Sequence, residues 1–268
     1  MNIHSLNFKK IFKNTAPQTN RYDVFRDFIF MASIAIENVF LKSEEKESDY
    51  MRIVNKYKPD DIERFTQMYA ELILALDSEP SDILGSLFME LEIGSASLGQ
   101  FFTPYPVCKM LSELSIGADF DEKLSKTGYI SVSEPASGSG SMLIAFSQSM
   151  LDKGYNPQRQ MTFQAIDLDP IAARMAYIQL SLLGLVGEVV IGNTLTLDFH
   201  ETLKTPAFYL WGHTLKRTSV FNFLEEISSK ADFLEGDINA ENEPFCLNLD
   251  LFSNCQIAKS LSNKLAVF

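Results

Sequence analysis

Between Tyr129 and Phe146 the chain changes period. "YISVSE" alternates apolar and polar residues, "PASGSG" holds only small ones, and "SMLIAFSQSML" returns apolar residues at three- and four-residue intervals. Alternation predicts a strand, and the longer period an amphipathic helix. The switch recurs downstream: "MTFQAIDLD" reads as a second strand, "PIAARMAYIQLSLLGL" as a helix opening at Pro170, and "EVVIGNTL" as a third strand. Strands alternating with helices predict an α/β fold with a parallel sheet and right-handed crossovers.

Upstream, from Tyr22 to about Leu91, the pattern is helical throughout. "RYDVFRDFIFMASIAIENVFLK" sets Phe25, Ile29, Ala32 and Ile36 on one face. "PDDIERFTQMYAELILAL" and "PSDILGSLFMELEI" each open with Pro followed within two residues by Asp, which is helix-start chemistry. Such stripes predict helices packed on helices, with no chemistry of their own. Past Asp198 the rhythm is lost, and "DFHETLK" reads as a poor strand. The expected organisation is a helical domain over 1–95, an α/β domain over 96–215 and an acidic extension over 216–268.

Composition narrows the class. With 268 residues, 46% hydrophobic and 22% charged, the chain can bury a sizeable core like an ordinary soluble protein. It has no apolar run long enough to span a bilayer, and its N-terminus does not read as a secretory signal. Cys108, Cys246 and Cys255 are scattered and odd in number, which argues against a disulfide framework or a metal site and fits a reducing cytoplasm. The net charge of −12 would repel free nucleic acid unless a basic face is segregated or a partner supplies one. Lys9, Lys10, Lys13 and Arg21 precede any acid, whereas "EEISSKADFLEGDINAENE" is acidic and reads as a solvated surface.

The candidate chemistry gathers where the strands end, which is where open parallel sheets bind ligands. Glu134-Pro135-Ala136-Ser137-Gly138-Ser139-Gly140 closes the first strand, Asp167 the second and Gly192-Asn193 the third. Gly138 and Gly140 let a ligand approach the main chain, and the next helix presents its N-terminus. Asp167 can accept from both hydroxyls of a ribose, and Asn193 can reach an adenine edge. The turn lacks the third glycine of a dinucleotide fingerprint, and Glu134 would repel a pyrophosphate. A cationic, phosphate-free ligand such as S-adenosylmethionine suits it better.

"DILGSLFMELEIGSASLGQFFTPYPVCKMLSEL", "EPASGSG", "AIDLDPIAARMAYIQLSLLG" and "GNTL" together resemble the adenine-specific DNA methyltransferases, closest to the modification subunits of type I restriction systems. The resemblance covers roughly Tyr22 to Leu197 and implies a Rossmann-like S-adenosylmethionine-dependent methyltransferase fold with an N-terminal helical domain. It implies that Phe101, Phe102, Thr103 and Pro104 line the methionine end of the cofactor. Glu134 to Gly140 would hold the methionine moiety, through Glu134, Pro135, Ala136, Gly138 and Gly140, with Ser137 standing where the family has Cys. Asp167 would bind the ribose, and Asn193 stands where the family usually has Asp facing the adenine amine. No metal is implied.

One family element is missing. The family's Asn/Asp-Pro-Pro-Tyr/Phe tetrapeptide accepts hydrogen bonds from the target amine and stacks on the flipped base. No such tetrapeptide occurs here, and the nearest candidate is Thr205-Pro206-Ala207-Phe208, which makes Thr205, Pro206 and Phe208 the catalytic candidates. Phe208, Tyr209 and Trp211 read equally well as stacking surfaces or as core aromatics. The expected function is methyl transfer from S-adenosylmethionine to the N6 amine of adenine in DNA, within a restriction-modification-like system. DNA would be held through a separate specificity subunit, in a homo- or hetero-oligomer. The competing expectation is a degenerate methyltransferase fold that binds cofactor or a partner and regulates. A third keeps the enzyme with protein or RNA as acceptor.

Overall fold

A computed structural model describes residues 2–90, 102–117 and 119–212. Phe101 and the acidic extension lie outside the described residues. Five helices come first: α1 (Ile3–Asn14), α2 (Arg21–Glu37), α3 (Glu44–Val54), α4 (Pro59–Ser78) and α5 (Ile83–Glu90). Then follow α6 (Tyr105–Ser115), α7 (Phe120–Thr127), β1 (Ile130–Glu134), α8 (Ser141–Asp152), α9 (Pro157–Gln160), β2 (Met161–Asp167), α10 (Pro170–Leu182), β3 (Val186–Asn193) and β4 (Asp198–Lys204).

The sheet runs in the order β1-β2-β3-β4. β1, β2 and β3 are parallel, and their register pairs Glu134 with Ala165 and Asp167 with Ile191. Their carboxyl ends therefore meet at one edge, as the alternating pattern predicts. β4 corrects the sequence reading of "DFHETLK": it is a strand, antiparallel to β3, pairing Asp198 with Asn193 and Lys204 with Glu188. A bulge at Ile191/Gly192 starts this return. A Cβ at Gly192 would sit 2.4 Å from the Asp198 carbonyl oxygen, so only glycine admits so close a strand.

Met161, Phe163 and Ala165 are buried on one face of the sheet, while Ser131, Ser133 and Gln164 on the other are exposed. That is the source of the two-residue period. α10 packs against β2 and β3 and is overlain by α2, with α5 touching it as well. Every residue from Ile171 to Leu180 is consequently buried. One continuous apolar core runs from Phe8 in α1 to Leu203 in β4, so the helical region is packed into the α/β region.

α1 is an addition to the sequence reading. Asn2 caps it by accepting from the Ser5 amide at 2.9 Å, and Phe8 and Phe12 make edge contacts with Phe28 and Phe25. Two of the four leading cations serve this packing. Lys9 is buried and pairs with Glu90. Arg21 donates to the carbonyls of Phe12, Thr15, Ala16 and Thr19, closing the end of α1. No helix among the described residues is long and apolar enough to cross a membrane.

Candidate functional site

The turn between β1 and α8 has two residues that need positive φ, Gly138 at 53° and Gly140 at 91°. Most side chains are strained there. A Cβ at Gly138 would stand 2.9 Å from the Phe102 ring, and one at Gly140 3.2 Å from the Ala176 Cβ. The first glycine thus lets the aromatic ring lie over the turn, and the second lets α10 close against it. Backbone bonds complete the loop, from Ser137 N to Ile166 O and from Gly140 N to Ser137 O, both at 2.9 Å.

Asp167 ties the turn to β2. Its Oδ2 accepts from the Gly138 amide at 2.7 Å, and its Oδ1 from the Asp169 amide at 2.9 Å. A carboxylate has about four acceptor positions, so capacity remains for ribose hydroxyls. Burial pushes the Asp167 carboxyl above the usual carboxylate range, against the lowering effect of those amides. Glu134, half-buried at the end of β1, is raised for the same reason. Its Oε1 accepts from the Ala136 amide at 3.4 Å.

The turn floors a cleft of about 250 Å³ that also takes in Phe102, Thr103, Cys108, Ser141, Met142, Asp167 and Ala172. No Lys or Arg among the described residues lines it. Pro104 is the cap position of α6, and no side chain, Thr103 included, makes a capping bond there. Thr103 and Phe102 face the cleft instead. Phe102 packs on Phe88 with ring centroids 5.7 Å apart, which ties the wall to α5. α8 starts at Gly140 without a side-chain cap, so its first amides remain for a ligand. Ser137 Oγ is buried in the cleft lining with no partner among the described residues.

Asn193 is brought to the same edge but is oriented by its own loop. Its Oδ1 accepts from the amides of Leu195 at 2.9 Å and Thr196 at 3.3 Å. What it can offer an adenine edge is the Nδ2 donor, a different group from the acceptor a carboxylate would supply. Thr194 Oγ1 donates to the Pro135 carbonyl at 2.7 Å and binds this loop to the turn.

The catalytic candidates are not brought to the site, which corrects the assignment of Thr205, Pro206 and Phe208. β4 runs antiparallel and delivers the chain to the amino ends of the parallel strands, roughly 20 Å along β3 from Asn193 at about 3.3 Å per residue. Thr205 is fully buried there, and its Oγ1 donates to Leu185 O at 2.8 Å. It also accepts from the Phe208 amide at 3.3 Å, capping the helical residues 206–212. Lys204 Nζ lies over the Phe208 ring, 4.8 Å from its centroid, Tyr209 stacks on Phe40 at 5.4 Å, and Trp211 packs against Val186 and Ala207. These aromatics fasten the segment to the fold.

Cys108, Ser141, Met142 and Ala172 line the cleft without having been named as site residues from the sequence, and two further groups beside it escaped as well. Leu168, next to Asp167, is 62% exposed, an apolar surface beside the cleft's rim. Asp82 of the α4–α5 connection lies buried beneath the turn, accepting from Ser139 Oγ at 2.5 Å. Their local patterns, "DLDP" and "PSDIL", carried only a strand end and a helix start.

The donor set fits S-adenosylmethionine. Glu134 can accept from its ammonium, Asp167 from its ribose, and the uncapped α8 amides and Ser137 can serve its carboxylate, while no cation among the described lining residues opposes its charge. When bound, that cofactor supplies a methyl group on a sulfonium. The protein's part in this cleft is to bind and orient, through a turn fixed at Gly138 and Gly140 and a wall at Phe102 and Thr103.

A comparison with curated proteins gives no match. Among solved structures, the chain is similar to a putative class I S-adenosylmethionine-dependent methyltransferase from Listeria monocytogenes. The identity is 14% and the TM-score 0.38, over 70% of this chain and 52% of that one, so this chain spans about half of that structure's length. Residues 81–209 match the family model described as N-6 DNA Methylase, a stretch that holds the whole cleft. S-adenosylmethionine is the cofactor, and residues 81–209 are similar to the N-6 DNA methylases.

Proposed function

We propose that this chain is the cofactor-binding part of a DNA adenine-N6 methyltransferase that acts within a restriction-modification-like assembly. The observation that carries the reading is the bond from the Gly138 amide to Asp167, which locks a glycine turn and a strand-end carboxylate into one cleft. The acceptors for the target amine would come from outside the described residues, since Thr205 to Phe208 lie at the opposite edge of the sheet. DNA contact would come from a partner specificity subunit, because the chain carries −12 net charge and Lys9 and Arg21 are engaged in the fold.

The placement of Thr205 also favours a second reading, in which the protein binds S-adenosylmethionine and regulates without transferring its methyl group. Transfer of tritiated methyl from S-adenosylmethionine to unmethylated DNA, with and without co-expressed neighbouring proteins, separates the two. Label in DNA only when a partner is present supports the first reading. Cofactor binding with no label under any combination supports the second.

A further inference from the structure

Beneath the glycine turn lies a polar cluster that none of the cofactor contacts explains. Asp82 is 4% exposed and sits where α4 passes into α5. Its Oδ1 accepts from the Gly85 amide at 2.9 Å and from Gln179 Nε2 at 3.0 Å, and its Oδ2 accepts from Ser139 Oγ. Gln179, fully buried in α10, also donates from Nε2 to the Ser139 carbonyl at 2.9 Å and accepts from the Leu84 amide at 3.0 Å. Ser139 lies between the two positive-φ glycines, so both its side chain and its backbone are held from below.

The sequence is built to admit this cluster. A Cβ at Gly85 would fall 2.2 Å from Asp82 Oδ2 and 2.3 Å from Ser139 Oγ. Neither neighbour is a loose side-chain end, since each is hydrogen-bonded to the other. A buried carboxylate without a cation is costly, and three donors converging on it are what make it tolerable. An apolar trio would fill the same space at less cost to stability. Retaining the polar trio therefore points to a geometric task, and the trio joins the start of α5 to the glycine turn through Ser139.

We propose that Asp82, Gln179 and Ser139 are positioning residues that hold the glycine turn in its cofactor-binding conformation, so that the connection into α5 governs affinity for S-adenosylmethionine. The proposal rests on the reading of the turn as the cofactor site. It acts through Gly138: if Ser139 is released, the Gly138 amide is no longer aimed at Asp167 and the cleft floor loses its shape. Asn at position 82 keeps the acceptor for Gly85 and Gln179, and its amide can donate to the Ser139 hydroxyl, so the conservative change should rescue what alanine loses.

The test uses the full chain and two readouts. Titration calorimetry with S-adenosylmethionine should show affinity down about tenfold or more for Asp82→Ala and Ser139→Ala, the loss of one or more aligned hydrogen bonds. Asp82→Asn should stay within about threefold of wild type on the same scale. Hydrogen exchange without ligand should quicken at Ser137 to Ser141 in the alanine variants, and stay unchanged in α2 and β3. Should Asp82→Ala fail to fold, Ser139→Ala carries both readouts. If wild type and Asp167→Ala both give no heat, the cofactor reading fails, while unaltered exchange in the turn would overturn the positioning role. Wild-type binding together with undiminished affinity in Ser139→Ala would overturn the inference and leave the cofactor reading intact.

Discussion

Replacing Asp167 with Asn is a sharp test of how the cleft is assembled. The change is isosteric, so packing stays as it is. The two carboxylate oxygens accept from two different amides, Gly138 at 2.7 Å and Asp169 at 2.9 Å. A carboxamide has one acceptor atom, so either orientation sets its NH2 group against a backbone N–H. Leaving one buried donor unmet costs about 1–3 kcal/mol, and the lost charge weakens the remaining bond. Most of that cost should fall on the ligand-bound state, where the turn must be ordered and the ribose must find its acceptors. Affinity for S-adenosylmethionine should therefore drop by roughly tenfold to a hundredfold, corresponding to about 1.4–2.8 kcal/mol. Titration calorimetry near pH 7 reads this directly, with a thermal melt of the free protein as control. An Asn variant that binds within twofold of wild type would refute the argument that the carboxylate organises the turn.

Other outcomes follow from the same geometry. Burial raises the carboxyls of Asp167 and Glu134 in the free protein, and a cationic ligand favours their charged forms. Binding therefore releases protons, and affinity should be full at neutral pH and fall as pH drops through those raised values, at a higher pH than an ordinary carboxylate would give; affinity flat down to pH 4 would contradict this. Thr205→Ala should lower stability by about 1 kcal/mol through the lost cap, with cofactor affinity unchanged, and a selective loss of binding in calorimetry would reopen its place in the site. Electrophoretic mobility shifts should show weak, strongly salt-sensitive binding of duplex DNA by the isolated chain; nanomolar affinity at physiological salt would show that a basic face exists after all.

The residues that frame the glycine turn were legible because each obeys a local rule. Alternation marked β1 and β2, the glycines marked a turn of unusual backbone, and Asp167 stood at a strand end where no packing requirement calls for an acid. β4 was illegible because its stability is not local. In "DFHETLK" only Leu203 is buried, and the strand is held by its ladder with β3 and by the pair of Glu201 with Arg174 at 2.7 Å. The direction of β4 decides where Thr205 goes, so the error in the strand became an error in the catalytic assignment. α1 was missed because its two core rings, Phe8 and Phe12, sit among lysines and asparagines, and their burial comes from contact with α2 and α4. The Asp82 cluster joins residues nearly a hundred positions apart, and no periodicity reports such a contact.

The central claim is that S-adenosylmethionine binds at the carboxyl edge of the parallel strands, on the glycine turn. Backbone amide chemical shifts of the labelled chain, followed during titration with S-adenosylmethionine, test it most directly. The account predicts the largest changes at Gly138, Gly140, Ser141 and Met142, with smaller ones at Asp167 and around Asn193, and none at residues 205–212. Saturable shifts clustered around Thr205 to Trp211, or no shifts at millimolar cofactor, would contradict it.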